Sequence, residues 1–101
     1  MARPKLHRST GNVFRDLGFG VEEAENLRLR SELMIRLTRI IEDRGLTQAE
    51  AARLLGITQP RVSDLVRGKI ALFSLDTLVS LLGRAGLRVT VTARAARKRV
   101  A

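Results

Sequence analysis

The spacing of apolar residues divides the chain into helical segments and one alternating segment. Between Val21 and Arg44 the apolar residues follow a helical period. They form a stripe of Leu29, Leu33, Leu37, Ile40 and Ile41. Gly45 is suited to end this helix, because glycine adopts the left-handed conformation without strain. The pattern predicts a long helix and leaves open whether a kink near residues 30–31 divides it.

Two short helices follow, each with start and stop signals. The segment TQAE at residues 47–50 fits a capping box, in which the threonine and glutamate side chains satisfy each other's backbone N–H groups. Gly56 is expected to end this helix. Thr58 is placed to cap the next helix, with Pro60 in its first turn, where the missing N–H breaks no hydrogen bond. Gln59 is the alternative cap, because the residue before a proline avoids the helical region.

A fourth helix is predicted from Ser74 to about Gly86. Its expected apolar face consists of Leu75, Leu78, Val79 and Leu82. Residues 87–93 then alternate between apolar and polar side chains, which predicts a β-strand whose apolar members face the core.

A single strand leaves its backbone N–H and C=O groups without a ladder partner. We expect it to pair with its own copy across a twofold axis, which makes the protein a homodimer. The expected dimer strand consists of Leu87, Val89, Thr90 and Val91. Pairing with residues 12–17 of the same chain is the alternative, although the sequence NVFRDL also fits a single helical turn.

Composition narrows the classes of function. The chain has 101 residues, the length of one domain, and no cysteine for disulfides or thiolate metal sites. Its one histidine is His7, its carboxylates are scattered, and no glycine-rich phosphate loop is present, so neither an enzyme nor a bound cofactor or metal is expected. No apolar run approaches the roughly 18 residues of a membrane span. We therefore expect a cytoplasmic protein without membrane contact.

Charge is concentrated at the two ends of the chain. The net charge is +9. Seven basic residues lie in the first eight and last eight positions, so residues 9–93 carry a net charge of only +2. We predict a mobile basic arm (1–11), a folded domain (12–93) and a basic tail (94–101). Short basic tails commonly contact a polyanion, and the alternative is that they are solubilising ends.

The two short helices have the spacing of a helix-turn-helix motif. A connection of about three residues makes their axes cross steeply, which requires a small residue at the contact and a left-handed turn. Ala52 and Gly56 meet these requirements, and Val62 and Leu65 are placed to hold the second helix on the first. In this motif the second helix enters the DNA major groove by its N-terminal end.

The polar residues of the second helix then acquire expected roles. The expected base contacts are Gln59, Pro60, Arg61, Ser63 and Asp64, since glutamine suits adenine, arginine suits guanine and aspartate accepts from cytosine. The expected phosphate contacts are Gln48, Thr58, Arg67 and Lys69. The alternative is a solvated face of a helical bundle, in which Asp64 pairs with Arg67.

The segment LTQAEAARLLGITQPRVSDLVRGK (46–69) resembles the Cro/C1-type (XRE) helix-turn-helix family. With GNVFRDLGF before it and FSLDTLVSLLGRAGLRVTV behind it, the chain is similar to the HigA-like antitoxin branch over residues 11–92. The resemblance implies an all-helical domain. Together with the strand that the alternating pattern predicts, the expected fold is mainly α, a Cro/C1-type helix-turn-helix bundle of four to five helices with one C-terminal β-strand. The resemblance also implies double-stranded operator DNA as ligand and a RelE/HigB-like ribonuclease toxin as partner.

Two functional hypotheses follow. The first is a dimeric repressor that regulates its own operon. The second is a protein-inhibitor module whose main role is to neutralise a ribonuclease toxin, and a small basic reading frame beside the gene would favour it. RNA binding is disfavoured, because the second helix offers no aromatic side chain on which bases could stack.

Overall fold

The computed structural model describes residues 13, 14 and 16–95, and all structural statements concern that part of the chain. After a single helical turn it contains four α-helices: α1 (Val21–Asp43), α2 (Gln48–Leu55), α3 (Gln59–Val66) and α4 (Leu75–Arg84). A 3-10 helix (Ile70–Leu72) lies between α3 and α4. None of these helices is both long and apolar enough to cross a membrane.

Helix α1 is continuous, but its buried face differs from the predicted stripe. The buried residues are Ala24, Leu27, Met34, Leu37 and Ile41. Leu29, Leu33 and Ile40 are only half-buried. The predicted apolar face was therefore partly wrong. The buried face lies about 100° around the helix axis from the predicted one, which is the angle between successive residues. The reason is tertiary: α1 packs against α4, α3 and the 3-10 helix on this side.

The polar side of α1 carries a three-residue ion-pair network. Arg28 lies 2.9 Å from Glu25 and 2.8 Å from Glu32, at helical neighbour spacing. Its hydrogen bond lowers the pKa of Glu25, and the same bond raises the pKa of Arg28. Because the folded-state pKa of Glu25 is lowered, this pair contributes stability above the ordinary carboxyl pKa and loses it as the pH falls through the lowered value.

The segment before α1 forms a helical turn. The Leu17 N–H donates to the Val13 carbonyl at 3.0 Å, and the rings of Phe14 and Phe19 meet edge to face with centroids 6.1 Å apart. Because residues 13, 14 and 16 are helical, the alternative in which residues 12–17 pair as a strand with residues 87–93 is wrong for the described positions.

The predicted caps are present. In the α2 capping box, the Glu50 N–H donates to Thr47 Oγ1 at 3.1 Å and the Thr47 N–H donates to Glu50 Oε1 at 2.9 Å. Thr58, rather than Gln59, caps α3, because its hydroxyl oxygen accepts a hydrogen bond from the Arg61 backbone N–H at 3.3 Å. Ser74 caps α4 in the same way at 3.1 Å.

Helix α4 and the residue before it complete the core. The buried residues of α4 are Leu78, Leu81 and Leu82, whereas Val79 is 37% exposed, so its predicted inward position was wrong. Phe73, which the apolar pattern did not single out, is the largest fully buried side chain. The core thus combines residues from all four helices with Phe73.

Residues 87–95 belong to neither helix nor strand in the described structure. Leu87 and Val89 are half-buried and pack against the core, as the alternation of apolar and polar residues predicted. Val91 is 56% exposed, so its predicted inward orientation was wrong. The predicted basic arm (1–11) and the tail beyond residue 95 lie outside the described residues.

Candidate nucleic-acid interface

The turn between α2 and α3 determines which side of α3 faces outward. Gly56 has φ +72°, the left-handed conformation, and α3 begins after three connecting residues. Val62 and Leu65 are fully buried and hold α3 on the core. The guanidinium of Arg84 lies over Gly56, where an added Cβ would come within 2.8 Å of it. This position therefore requires glycine for its left-handed conformation, whereas the contact with Arg84 involves the end of a flexible, exposed side chain that can move aside.

The first turn of α3 presents polar groups to solvent. Gln59 and Pro60 are exposed, and Ser63 is partly exposed. Gln59 and Ser63 are four residues apart and therefore share one edge of the helix. The amide of Gln59 both donates and accepts, which is the pattern that the major-groove edge of adenine requires.

Two further exposed residues stand at the N-termini of α2 and α3. Thr58 accepts a backbone hydrogen bond through its oxygen, which leaves its O–H free as a donor for a phosphate. Gln48 is the first residue of α2 and is also exposed. Both stand at helix N-termini, where the helix dipole favours anions. Gln48 and Thr58 are thus exposed donors at helix N-termini, and their phosphate contacts stay a prediction.

Asp64 pairs with Lys69 rather than with Arg67. The carboxylate and ammonium are 3.4 Å apart. Gly68, at φ +72°, reverses the chain so that the Lys69 N–H donates to the Asp64 carbonyl at 3.1 Å, which brings the lysine back over the aspartate. Arg67 is exposed. The alternative in which Asp64 pairs with Arg67 was wrong, because the C-terminal turn of α3, and not the helical repeat, sets the partner.

Arg61 is engaged inside the chain. Its Nη1 donates to the Leu72 carbonyl at 2.9 Å, and its guanidinium carbon lies 4.1 Å from the centroid of the Phe73 ring. Sequence reasoning placed Arg61 at a guanine and did not foresee these partners. The feature of the sequence that could have indicated these partners was Phe73. It is the one aromatic residue after position 19, and its segment has too few apolar repeats for a helix.

Comparison with known proteins agrees with this geometry. A family described as a helix-turn-helix domain matches residues 13–94. A solved structure described as "Putative XRE Family Transcriptional Regulator" is 36% identical, has a TM-score of 0.69, and is matched over 78% of this chain and 90% of that chain. No curated protein matches the chain. The chain belongs to the helix-turn-helix domain family, and the predicted XRE-type class is confirmed.

Proposed function

We propose that this protein is a sequence-specific DNA-binding transcriptional regulator that represses its own operon. The observation that carries the proposal is the capped α2–α3 pair, in which α3 is held on the core by one face and exposes a polar first turn. An α-helix fits the major groove, where base edges offer distinct donor and acceptor patterns. The relative described as an XRE-family regulator supports the same function.

The proposed contacts divide into two groups. Base contacts are assigned to Gln59, Pro60, Ser63 and Asp64, and phosphate contacts to Gln48, Thr58, Arg67 and Lys69. Because Lys69 neutralises Asp64 at 3.4 Å, the carboxylate can approach the groove with less repulsion from phosphates. Phosphate contacts position the protein, whereas base contacts discriminate sequences.

We propose that residues 87–91 pair with the same residues of a second copy. In the described chain, no backbone–backbone hydrogen bond involves residues 88–95, while Leu87 and Val89 fix the start of the segment on the core. Pairing across a twofold axis would satisfy these backbone groups. A twofold dimer also fits a palindromic operator with half-sites about 34 Å apart.

Selection from randomised duplexes, followed by titration of the enriched duplex, tests the DNA-binding function. Gln59→Ala should lose about 1–3 kcal/mol on the enriched duplex and relax the preference at one base pair, because a paired amide is removed. Arg67→Ala should weaken binding to all duplexes alike and lower the slope of log K against log salt by about 0.9.

The two variants control for each other, since each shortens an exposed side chain at one end of α3. If Gln59→Ala lost affinity equally on enriched and random duplexes, Gln59 would be a positioning contact rather than a base contact. A wild-type protein that enriched no sequence would contradict the proposed function itself.

A second candidate function is inhibition of a RelE/HigB-like ribonuclease toxin. It is favoured by exposed apolar side chains around the start of α1: Val13 at 44%, Leu17 at 68% and Val21 at 59% exposure. Val13 and Leu17 lie one helical turn apart, and adjacent exposed apolar side chains are typical of protein-binding surfaces. This surface is separate in sequence from the polar first turn of α3, so one chain can carry both functions.

The double variant Leu17→Asp, Val21→Asp tests this candidate against the product of any small basic reading frame beside the gene. It should lose inhibition of that product's ribonuclease activity and keep its affinity for the enriched duplex. The matched control is Gln59→Ala, which should do the reverse. If the double variant inhibited the ribonuclease as well as wild type does, the apolar surface would not be the inhibitory one.

A further inference from the structure

The side chain of Arg61 is directed away from the outward edge of α3. Successive residues of a helix are about 100° apart, so Arg61 lies about 40° from Leu65, a core residue, and about 100° from Pro60. Pro60 and Arg67 lie near the centre of the outward face, opposite the fully buried Val62 and Leu65. Arg61 is half-buried at the border between the two faces.

The partners of Arg61 belong to the segment that connects α3 with α4. One guanidinium nitrogen is 2.9 Å from the Leu72 carbonyl, and the planar group covers the Phe73 ring at 4.1 Å. A stacked guanidinium with an oriented donor is a geometry that lysine cannot reproduce. The first turn of α3 is thereby tied to a ring that is itself fully buried.

The connecting segment is also held by a residue of α1. Arg30 of α1 directs Nη1 to the carbonyls of Ile70 and Phe73, at 3.3 Å each. Three carbonyls of one short segment therefore accept hydrogen bonds from two arginines on different helices. The same segment includes Lys69, one of the proposed phosphate contacts, so fixing it also fixes the lysine relative to α3.

We propose that Arg61 is a positioning residue and not a base contact: it stays on Phe73 and Leu72 when DNA is bound and fixes the connecting segment against the first turn of α3. The inference rests on the proposed DNA-binding function and narrows it. Base discrimination by α3 then belongs to Gln59, Pro60, Ser63 and Asp64. Arg61 determines the geometry in which these residues and Lys69 meet one duplex together.

The anchor is tested first in the free protein by NMR. The Phe73 ring shields protons above its face, so the Arg61 side-chain protons should resonate upfield of those of Arg67, and Phe73→Leu should abolish the shift. Addition of the enriched duplex should leave the upfield shift in place. An Arg61 signal without an upfield shift in the free protein, or one that moves to ordinary values on the duplex, would overturn the proposal.

Binding measurements give the second test, at a temperature where circular dichroism shows each variant fully folded. Arg61→Met should weaken binding to the enriched duplex and to each of its single-base-pair variants by a similar factor. Ratios between duplexes should change by less than about twofold, and the salt slope should stay at the wild-type value because no phosphate contact is lost. Arg61→Lys should recover part of the affinity by returning a cation to the ring.

Phe73→Leu provides a variant that leaves α3 unaltered and removes the ring, so it should give the same uniform loss. Gln59→Ala is the matched control and should reduce preference at one base pair by about fivefold or more. If Arg61→Met reduced preference at one base pair in that way, Arg61 would be a base contact. A wild-type protein that enriches no duplex contradicts the proposed function, while the free-protein NMR result still decides whether the anchor exists.

Discussion

Replacing Phe73 with alanine is expected to lower the free energy of unfolding by about 3–5 kcal/mol. Phe73 is 0% exposed and is the largest of the fully buried side chains. Its removal leaves a cavity in the core to which all four helices contribute, and it also removes the ring on which Arg61 stacks. Domains of this size are stable by about 5–15 kcal/mol, so the loss is a large fraction of the total.

Urea denaturation followed by far-ultraviolet circular dichroism measures this effect, which suits a chain without tryptophan or tyrosine. Phe19→Ala is the matched control, because Phe19 is 37% exposed and its ring contacts Phe14. It should cost about 1.5 kcal/mol or less. Equal losses for the two alanine variants would show that Phe73 does not occupy the centre of the core.

If residues 87–91 pair as proposed, replacing Val91 with proline is expected to convert the proposed dimer into a monomer and to reduce affinity for the enriched duplex by about 10²–10⁴-fold. Proline removes a backbone donor and fixes φ, which a paired strand tolerates poorly. A monomer reaches one half-site only and forfeits the second set of contacts. Because Val91 is 56% exposed and lies after α4, the helices should remain folded.

Sedimentation and titration of the enriched duplex check this expectation together, with circular dichroism as the folding control. Val91→Thr keeps the N–H group and the branched shape, so it should remain dimeric and bind nearly as wild type does. A Val91→Pro protein that still sediments as a dimer and binds the full operator would place dimerisation elsewhere in the chain.

Local signals in the sequence predicted the boundaries of the helices well. A capping box depends on residues three positions apart, as Thr47 and Glu50 show, and a left-handed stop depends on one glycine, as Gly56 shows. The residues that take part in each of these interactions lie within a few positions of one another, so the rest of the fold is not needed to predict them. The spacing around Gly56 also sufficed to predict the helix-turn-helix class, which the family match confirms.

The faces of the helices were predicted less well. Apolar spacing alone centred the stripe of α1 on Leu33 and Ile40, whereas packing centred it on Leu27 and Met34. A helix with leucine on several sides has more than one apolar face, and the neighbouring helices select among them. In α4 the same ambiguity placed Val79 inside in the prediction, whereas the structure buries Leu81, on the opposite border of the apolar face.

Only the tertiary structure decided the partners of the long charged side chains. Arg61 reaches a carbonyl eleven residues away, and Asp64 meets Lys69 because the chain reverses at Gly68. A flexible side chain has many acceptors within its length, so the one that it uses depends on which segment folds beside it. The sequence by itself determined the caps, the turn and the protein class, because these depend on near neighbours. The fold decided which polar side chains remain free to meet DNA, because that depends on segments distant along the chain.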